Sequence, residues 1–220
     1  MKRSSTSSAK ENILKKIRQA LANPVPVPFT QSEGPANVVK PPSQELELEF
    51  AENFSSLLGR FTFCTDEIDL AEQLAGLTLA RRLSLIHCKE PNLQKMLVDH
   101  GFDHFKSTDL ATCDAAITGC ELLVARTGSL LMSSAQGSGR TTSVYAPIHI
   151  CIAYTNQLVY DIKDGLQMLK EKYAGNIPSL ITLASGPSRT ADIEKSLVVG
   201  VHGPKEVFVF LVDAAAADQP

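Results

Sequence analysis

Apolar and polar residues follow two periods along this chain, and the period changes at definite points. Over Ala9–Ala22, Ile13, Leu14, Ile17 and Leu21 recur every three to four residues, with Lys15, Lys16, Arg18 and Gln19 opposite. That is the stripe of an amphipathic helix, and Asn23-Pro24 stops it. From Glu45 the helical period alternates with short apolar runs. Leu46–Leu58 predicts a helix and Arg60–Cys64 a strand. Asp66–Ala80 predicts a helix whose acidic first turn suits its dipole. Leu83–Cys88 reads as a buried strand, and Asn92–His100 as a helix closed by Gly101. Phe102–Phe105 reads as a weak strand, and Cys113–Gly119 as a strand of small residues ending in a glycine. This β-α-β-α rhythm argues for an α/β domain with a mostly parallel sheet and helices on both faces.

At Glu121 the rhythm changes. Leu122–Ala125, Arg126-Thr-Gly-Ser129 and Leu130–Met132 read as strand, turn, strand, which gives the rear half more antiparallel character. Ser133–Ser143 is a loop rich in serine and glycine. Ile148–Tyr154 predicts a strand and Val159–Tyr173 a helix. Leu180–Ala184 and Val207–Val212 are β-branched, apolar runs of strand length. Between these last two lie the turn clusters Ser185–Arg189 and Gly200–Pro204, where Gly186-Pro187 forces a break. The expected organisation is an N-terminal helix (1–22), a proline-rich linker (23–44), an α/β domain (45–213) and a short tail (214–220). Six prolines fall between Pro24 and Pro42, so the linker favours extended conformations. The helix it tethers has two readings, folding back on its own domain or docking on a partner chain.

Composition narrows the function classes. The chain has 220 residues, 44% of them hydrophobic and 20% charged, with a net charge of −3. A chain of this size needs no disulfide or metal staple, and its charge argues against bulk nucleic-acid binding. No apolar run is long enough to span a bilayer, and no signal peptide is visible behind Met1-Lys2-Arg3. Cys64, Cys88, Cys113, Cys120 and Cys151 are odd in number and form no Cys-x-x-Cys. Neither a zinc site nor an iron–sulfur cluster is expected on this chain. Buried, reduced thiols in a cytoplasmic protein are expected instead.

The densest candidate chemistry lies in Ser185-Gly-Pro-Ser-Arg-Thr190. A strand, a glycine turn and a helix start would expose backbone N–H groups to an anion, at the carboxyl end of a strand. Gly186 supplies the turn, Ser188 and Thr190 the hydroxyls, and Arg189 a bidentate fork for carboxylate or phosphate. Asp192 and Glu194 count against an anion there. The competing reading pairs Arg189 with these acids and lets Ser188 or Thr190 cap a short helix. His202 and Gly203 in the second turn cluster join the candidates, with His202 alternatively a loop residue bonding backbone. Thr127 and Gly128 join them as well, although Arg126–Ser129 also reads as a simple hairpin turn. These three loops are expected together at one edge of the sheet. Gly137-Ser-Gly-Arg140 is no dinucleotide fingerprint. His87 and His149 lie in apolar strands and read as core or strand-end residues. Gly101 separates His100 from His104, so they make an improbable metal pair.

Ser185-Gly-Pro-Ser-Arg-Thr-Ala-Asp-Ile-Glu194, with Gly200-Val-His-Gly-Pro204 behind it, resembles the signature of the LUD domain family, on its lactate-utilisation protein C branch. Ala125-Arg-Thr-Gly128, Pro147-Ile-His149 and the tethered helix resemble that family too. The resemblance covers about 45–213. It implies a three-layer α/β/α sandwich like that of the NagB, RpiA and CoA-transferase group. It also implies an accessory or ligand-binding part in oxidising L-lactate to pyruvate, within a multi-subunit system whose partner subunits carry the iron–sulfur clusters. Two alternatives stay open. One is a free-standing enzyme acting on a phosphorylated or CoA-linked small molecule; the other is a small-carboxylate sensor.

Overall fold

The computed structural model describes residues 5–22, 41–106, 109–193, 196–200 and 202–217. The chain divides into two units, Met1–Pro41 and Pro42–Pro220. In the first, helix α1 spans Ser5–Ala22. Its stripe residues Ile13 and Ile17 are exposed. The second unit runs α2 (Leu46–Ser56), β1 (Arg60–Cys64), α3 (Glu67–Arg81), β2 (Ile86–Cys88), α4 (Pro91–Asp99), β3 (Ala115–Thr118), β4 (Leu122–Val124) and β5 (Ser129–Ser133). It continues with α5 (Thr142–Tyr145), β6 (Ile148–Tyr154), β7 (Leu158–Val159), α6 (Ile162–Lys172), β8 (Ile181–Ala184), β9 (Arg189–Ile193), β10 (Ser196–Val199), β11 (Glu206–Val212) and α7 (Ala214–Ala217). Among the described residues no helix is long and apolar enough to cross a membrane.

The parallel sheet has the order β1-β11-β6-β3-β2, and every neighbouring pair in it is parallel. Its central strands β11, β6 and β3 are buried on both faces, as parallel strands with crossovers require. Phe208, Phe210, Ile150 and Ile152 point to one side, where α3 and α4 cover them through Leu70, Leu74 and Leu97. Val207, Val209, Cys151 and Ala153 point to the other, against Phe50 and Phe54 of α2 and Leu123 and Leu130 of a second sheet. Phe50 and Phe54 are fully buried and stack at 5.4 Å. Burying one such ring contributes about 2–3 kcal/mol.

That second sheet has the order β7-β4-β5-β8 and is mostly antiparallel. Helix α6 covers its outer face through Leu169. The fold is thus α/β with a wholly parallel main sheet. The antiparallel strands form a layer of their own, because β4 and β5 are joined by a tight turn that leaves no room for a crossover helix.

Three local expectations are corrected. The segment 102–105 is no strand: Phe102 is buried and its ring meets His104 and Phe105 at 4.9 and 5.6 Å, so ring packing holds an irregular loop. Helix α6 begins at Ile162, not Val159. The Asp161 side chain accepts the Lys163 N–H at 2.9 Å and caps it, and Leu158–Val159 is instead a strand against β4. No helix starts after Gly186-Pro187. Arg189 opens β9, which pairs antiparallel with β10. The hairpin uses the backbone groups that a helix N-terminus would have left for an anion.

Candidate functional site

The expected meeting of loops occurs. The Ser188 N–H donates to Pro204 O at 3.0 Å, and the Gly200 N–H donates to Ser188 O at 2.9 Å. Gly203 lies so close that a Cβ there would sit 2.8 Å from Ser188 Cβ. Ser185 Oγ reaches Ser129 Oγ at 2.6 Å, which brings the Thr127-Gly128 turn alongside. Gly128 and Gly186 both rest on the last turn of α2. Gly128 has φ +54, and a Cβ would lie 2.4 Å from Phe54 N; Gly186 has φ +79, and a Cβ would lie 2.6 Å from Leu57 O. Asn53 Nδ2 donates to Ala125 O at 2.9 Å and to Arg126 O at 3.2 Å. These family-like glycines therefore seat a helix.

Arg189 is exposed, and its Nη2 donates to Leu57 O at the end of α2. It satisfies a carbonyl that the helix leaves unpaired, where its dipole favours a cation. Neither expected reading included this contact. Thr190 and Asp192 lie on β9, where Thr190 pairs in register with Val198. Glu194 lies outside the described residues. His202 and Lys205 are exposed and share a cavity of about 400 Å³ with Tyr145.

The cluster does not sit at the carboxyl edge of the parallel sheet. Lys205 N donates to Pro147 O at 2.8 Å, just before β11 and β6 begin. Its strand β8 belongs to the second sheet, so the carboxyl end of that strand opens toward the amino edge of the first. The same edge carries Arg60 and Arg81, both on Glu206 Oε2 at 2.9 and 2.7 Å.

The carboxyl edge holds a crevice of about 510 Å³. Strand β2 leaves toward α4, which covers one face of the sheet, while its neighbour β3 leaves toward β4 on the other. Adjacent strands whose connections part in this way open a gap, the usual ligand position in α/β sheets. Glu90 spans it: Oε1 accepts the Gly119 N–H at 3.0 Å. A Cβ on Gly119 would lie 3.3 Å from Glu90 Oε2, so a glycine keeps this space open.

On the opposite wall Tyr154 OH donates to Glu67 Oε1 at 2.6 Å, and Glu67 Oε2 lies 3.5 Å from His100 Nε2. Burial and the Glu67 carboxylate push the Tyr154 phenol well above its ordinary pKa, so it stays a donor. Gln157 Nε2 donates to Cys120 O at 2.8 Å, while its Oε1 accepts the Tyr154 N–H at 2.8 Å. The sequence contains Glu90-Pro91 and Thr118-Gly119 as strand ends. Nothing in the order of residues says that these two ends are neighbours.

All five cysteines are buried free thiols. Burial first, with nearby acids adding to it, pushes Cys64 up to about 12. Burial raises Cys88 to about 11, with Glu90 contributing in both directions. Both therefore hold their protons at neutral pH. His149 is a core histidine, as its strand context suggests. It bonds Thr118 Oγ1 through Nε2 at 2.8 Å.

The model of the LUD domain family matches residues 103–212, half of the chain. Lactate utilization protein C of Shouchella clausii is 37% identical over 101 residues, 46% of this chain and 44% of that protein. Lactate utilization protein C of Bacillus subtilis is 32% identical over 116 residues, 52% of this chain and 48% of that protein. An uncharacterised protein of Neisseria meningitidis serogroup B is 30% identical over 124 residues, 56% of this chain and 52% of that protein. The match to these curated relatives spans about half their length. A DUF162 family protein from Deinococcus radiodurans has a crystal structure that superposes with a TM-score of 0.57, over 76% of this chain and 96% of that one. At 18% identity that likeness shows the fold.

Proposed function

The chain belongs to the LUD domain family, and from that premise we propose that it serves lactate utilisation as a component of a system oxidising L-lactate to pyruvate. The observation that carries the reading is its similarity to proteins named lactate utilization protein C. In this reading the chain is an accessory or ligand-binding subunit, and the electrons pass through iron–sulfur clusters on partner subunits. The cysteines favour that division of labour, because they are buried thiols whose spacing matches no cluster motif. A small carboxylate would be taken at the amino edge, where the exposed Arg189, Lys205 and His202 lie beside Ser188 and Gly203. The reading predicts that a strain lacking the gene, and lacking any other L-lactate oxidase, fails on L-lactate as sole carbon source while growing normally on pyruvate. Equal growth on both would overturn it.

A further inference from the structure

We infer that the crevice at the carboxyl edge of the parallel sheet binds an uncharged, hydroxyl-bearing small molecule of sugar or nucleoside size, with Glu90 as its principal acceptor. The crevice has the volume of a small-molecule site, which typically runs about 300–1,000 Å³, at about 510 Å³. It lies where the connections from β2 and β3 part to opposite faces, so the gap follows from the topology.

Its chemistry excludes anions. Two carboxylates, Glu67 and Glu90, line it with the amides of Asn92 and Asn156, and among the described residues no lysine or arginine lines it. The N-terminus of α4 opens beside it at Pro91. That end carries about half a positive charge, too little to offset two carboxylates. A phosphate or carboxylate would meet net repulsion there. A hydroxyl group would donate to an ionised acceptor and form the stronger, charge-assisted kind of hydrogen bond. Leu93, Met96 and Ile152 give the apolar surface on which the carbon face of a sugar or a base can lie.

The acceptors are held before any ligand arrives. Glu90 is fixed by the Gly119 N–H and Glu67 by the Tyr154 hydroxyl. Preorganisation of this kind spares a ligand the cost of ordering the side chains it meets. Selectivity for an uncharged ligand separates this crevice from the cationic amino edge, and it holds whether or not the chain serves lactate oxidation.

Ligand-observed saturation-transfer NMR on the full chain tests this. The probes are D-ribose and adenosine, their anionic counterparts ribose 5-phosphate and AMP, and L-lactate. Expected is saturable binding of ribose or adenosine, weaker binding of the matched phosphate, and no lactate signal that depends on Glu90. Glu90→Gln should weaken the uncharged probe about tenfold or more, as loss of a charged hydrogen-bond partner does. The same variant should narrow the gap between adenosine and AMP, which a merely structural effect would not do. Gly119→Val, which fills the gap, should abolish binding, with thermal melts checking that each variant is folded. If Gly119→Val does not fold, Glu90→Gln decides alone. The proposal is overturned if no uncharged probe binds, if the phosphates bind as tightly, or if Glu90→Gln leaves the affinities unchanged.

Discussion

His149 carries a pH dependence that its position dictates. It is fully buried, and burial drives its pKa from the ordinary 6.5 down to about 4. Between those values the unfolded chain holds the proton and the folded chain does not. Stability is therefore complete above about pH 6.5 and falls as pH drops toward 4. At pH 5 the loss from this residue is about 2 kcal/mol. Urea unfolding of wild type and His149→Gln at pH 7 and pH 5 measures it: the variant should show a smaller drop between the two, and equal drops would refute the assignment.

Glu121 is the opposite case. Burial raises its carboxyl, but hydrogen bonds from Lys172, Ser133 and Tyr173 at 2.8, 2.5 and 2.7 Å outweigh it, and the net shift is downward. Its contribution is present above the ordinary carboxylate pKa and is lost as pH falls through the depressed one. Glu121→Ala would strand the buried Ser133 hydroxyl and the half-buried Tyr173 hydroxyl, and should cost about 2–3 kcal/mol. Lys172→Ala should cost less, about 1–2 kcal/mol, because its own side chain is 61% exposed while the Glu121 carboxylate it leaves behind is buried and still held by Ser133 and Tyr173. Chemical melts of the two variants rank them.

At the scale of elements, helix α2 and the two turns beneath its end form one assembly. Gly128 lies under Phe54 with a positive φ, so Gly128→Ala meets both strain and a backbone collision. It should cost about 3 kcal/mol or more. Gly139 also has a positive φ of +70 but faces open space; Gly139→Ala should cost about 1–2 kcal/mol. Thermal unfolding of the pair separates collision from strain. Arg189→Ala should lower the melting temperature by uncapping Leu57 O, and Arg189→Lys by less. If the amino edge also binds a small carboxylate, both variants should reduce the melting shift caused by lactate or pyruvate.

The elements themselves were legible where an apolar period ran long enough: Arg60–Cys64 and Ile148–Tyr154 are the strands expected. The hairpin of β9 and β10 was not. Arg189-Thr-Ala-Asp-Ile is short and polar, and after Gly-Pro it reads as well for a helix start as for a strand. Pairing with β10 decides it, and that is a tertiary fact.

For the whole molecule, the α/β class follows from the alternation of periods, but the order of strands does not. The expected cluster of Ser188, Gly203 and the Thr127-Gly128 turn was legible because it concentrates turn residues. Its place at the amino edge was not, since that depends on β8 joining a second sheet. The crevice between Glu90 and Gly119 was invisible for the same reason: 29 residues part them, and only the adjacency of β2 and β3 closes that distance. The proposed part in oxidising L-lactate belongs to the whole chain. The most direct test measures pyruvate formed from L-lactate in extracts of a strain lacking the gene and any other L-lactate oxidase, with and without the gene restored on a plasmid. L-lactate-dependent pyruvate formation should be lost on deletion and return on complementation. Equal rates in the deleted and complemented extracts would contradict it.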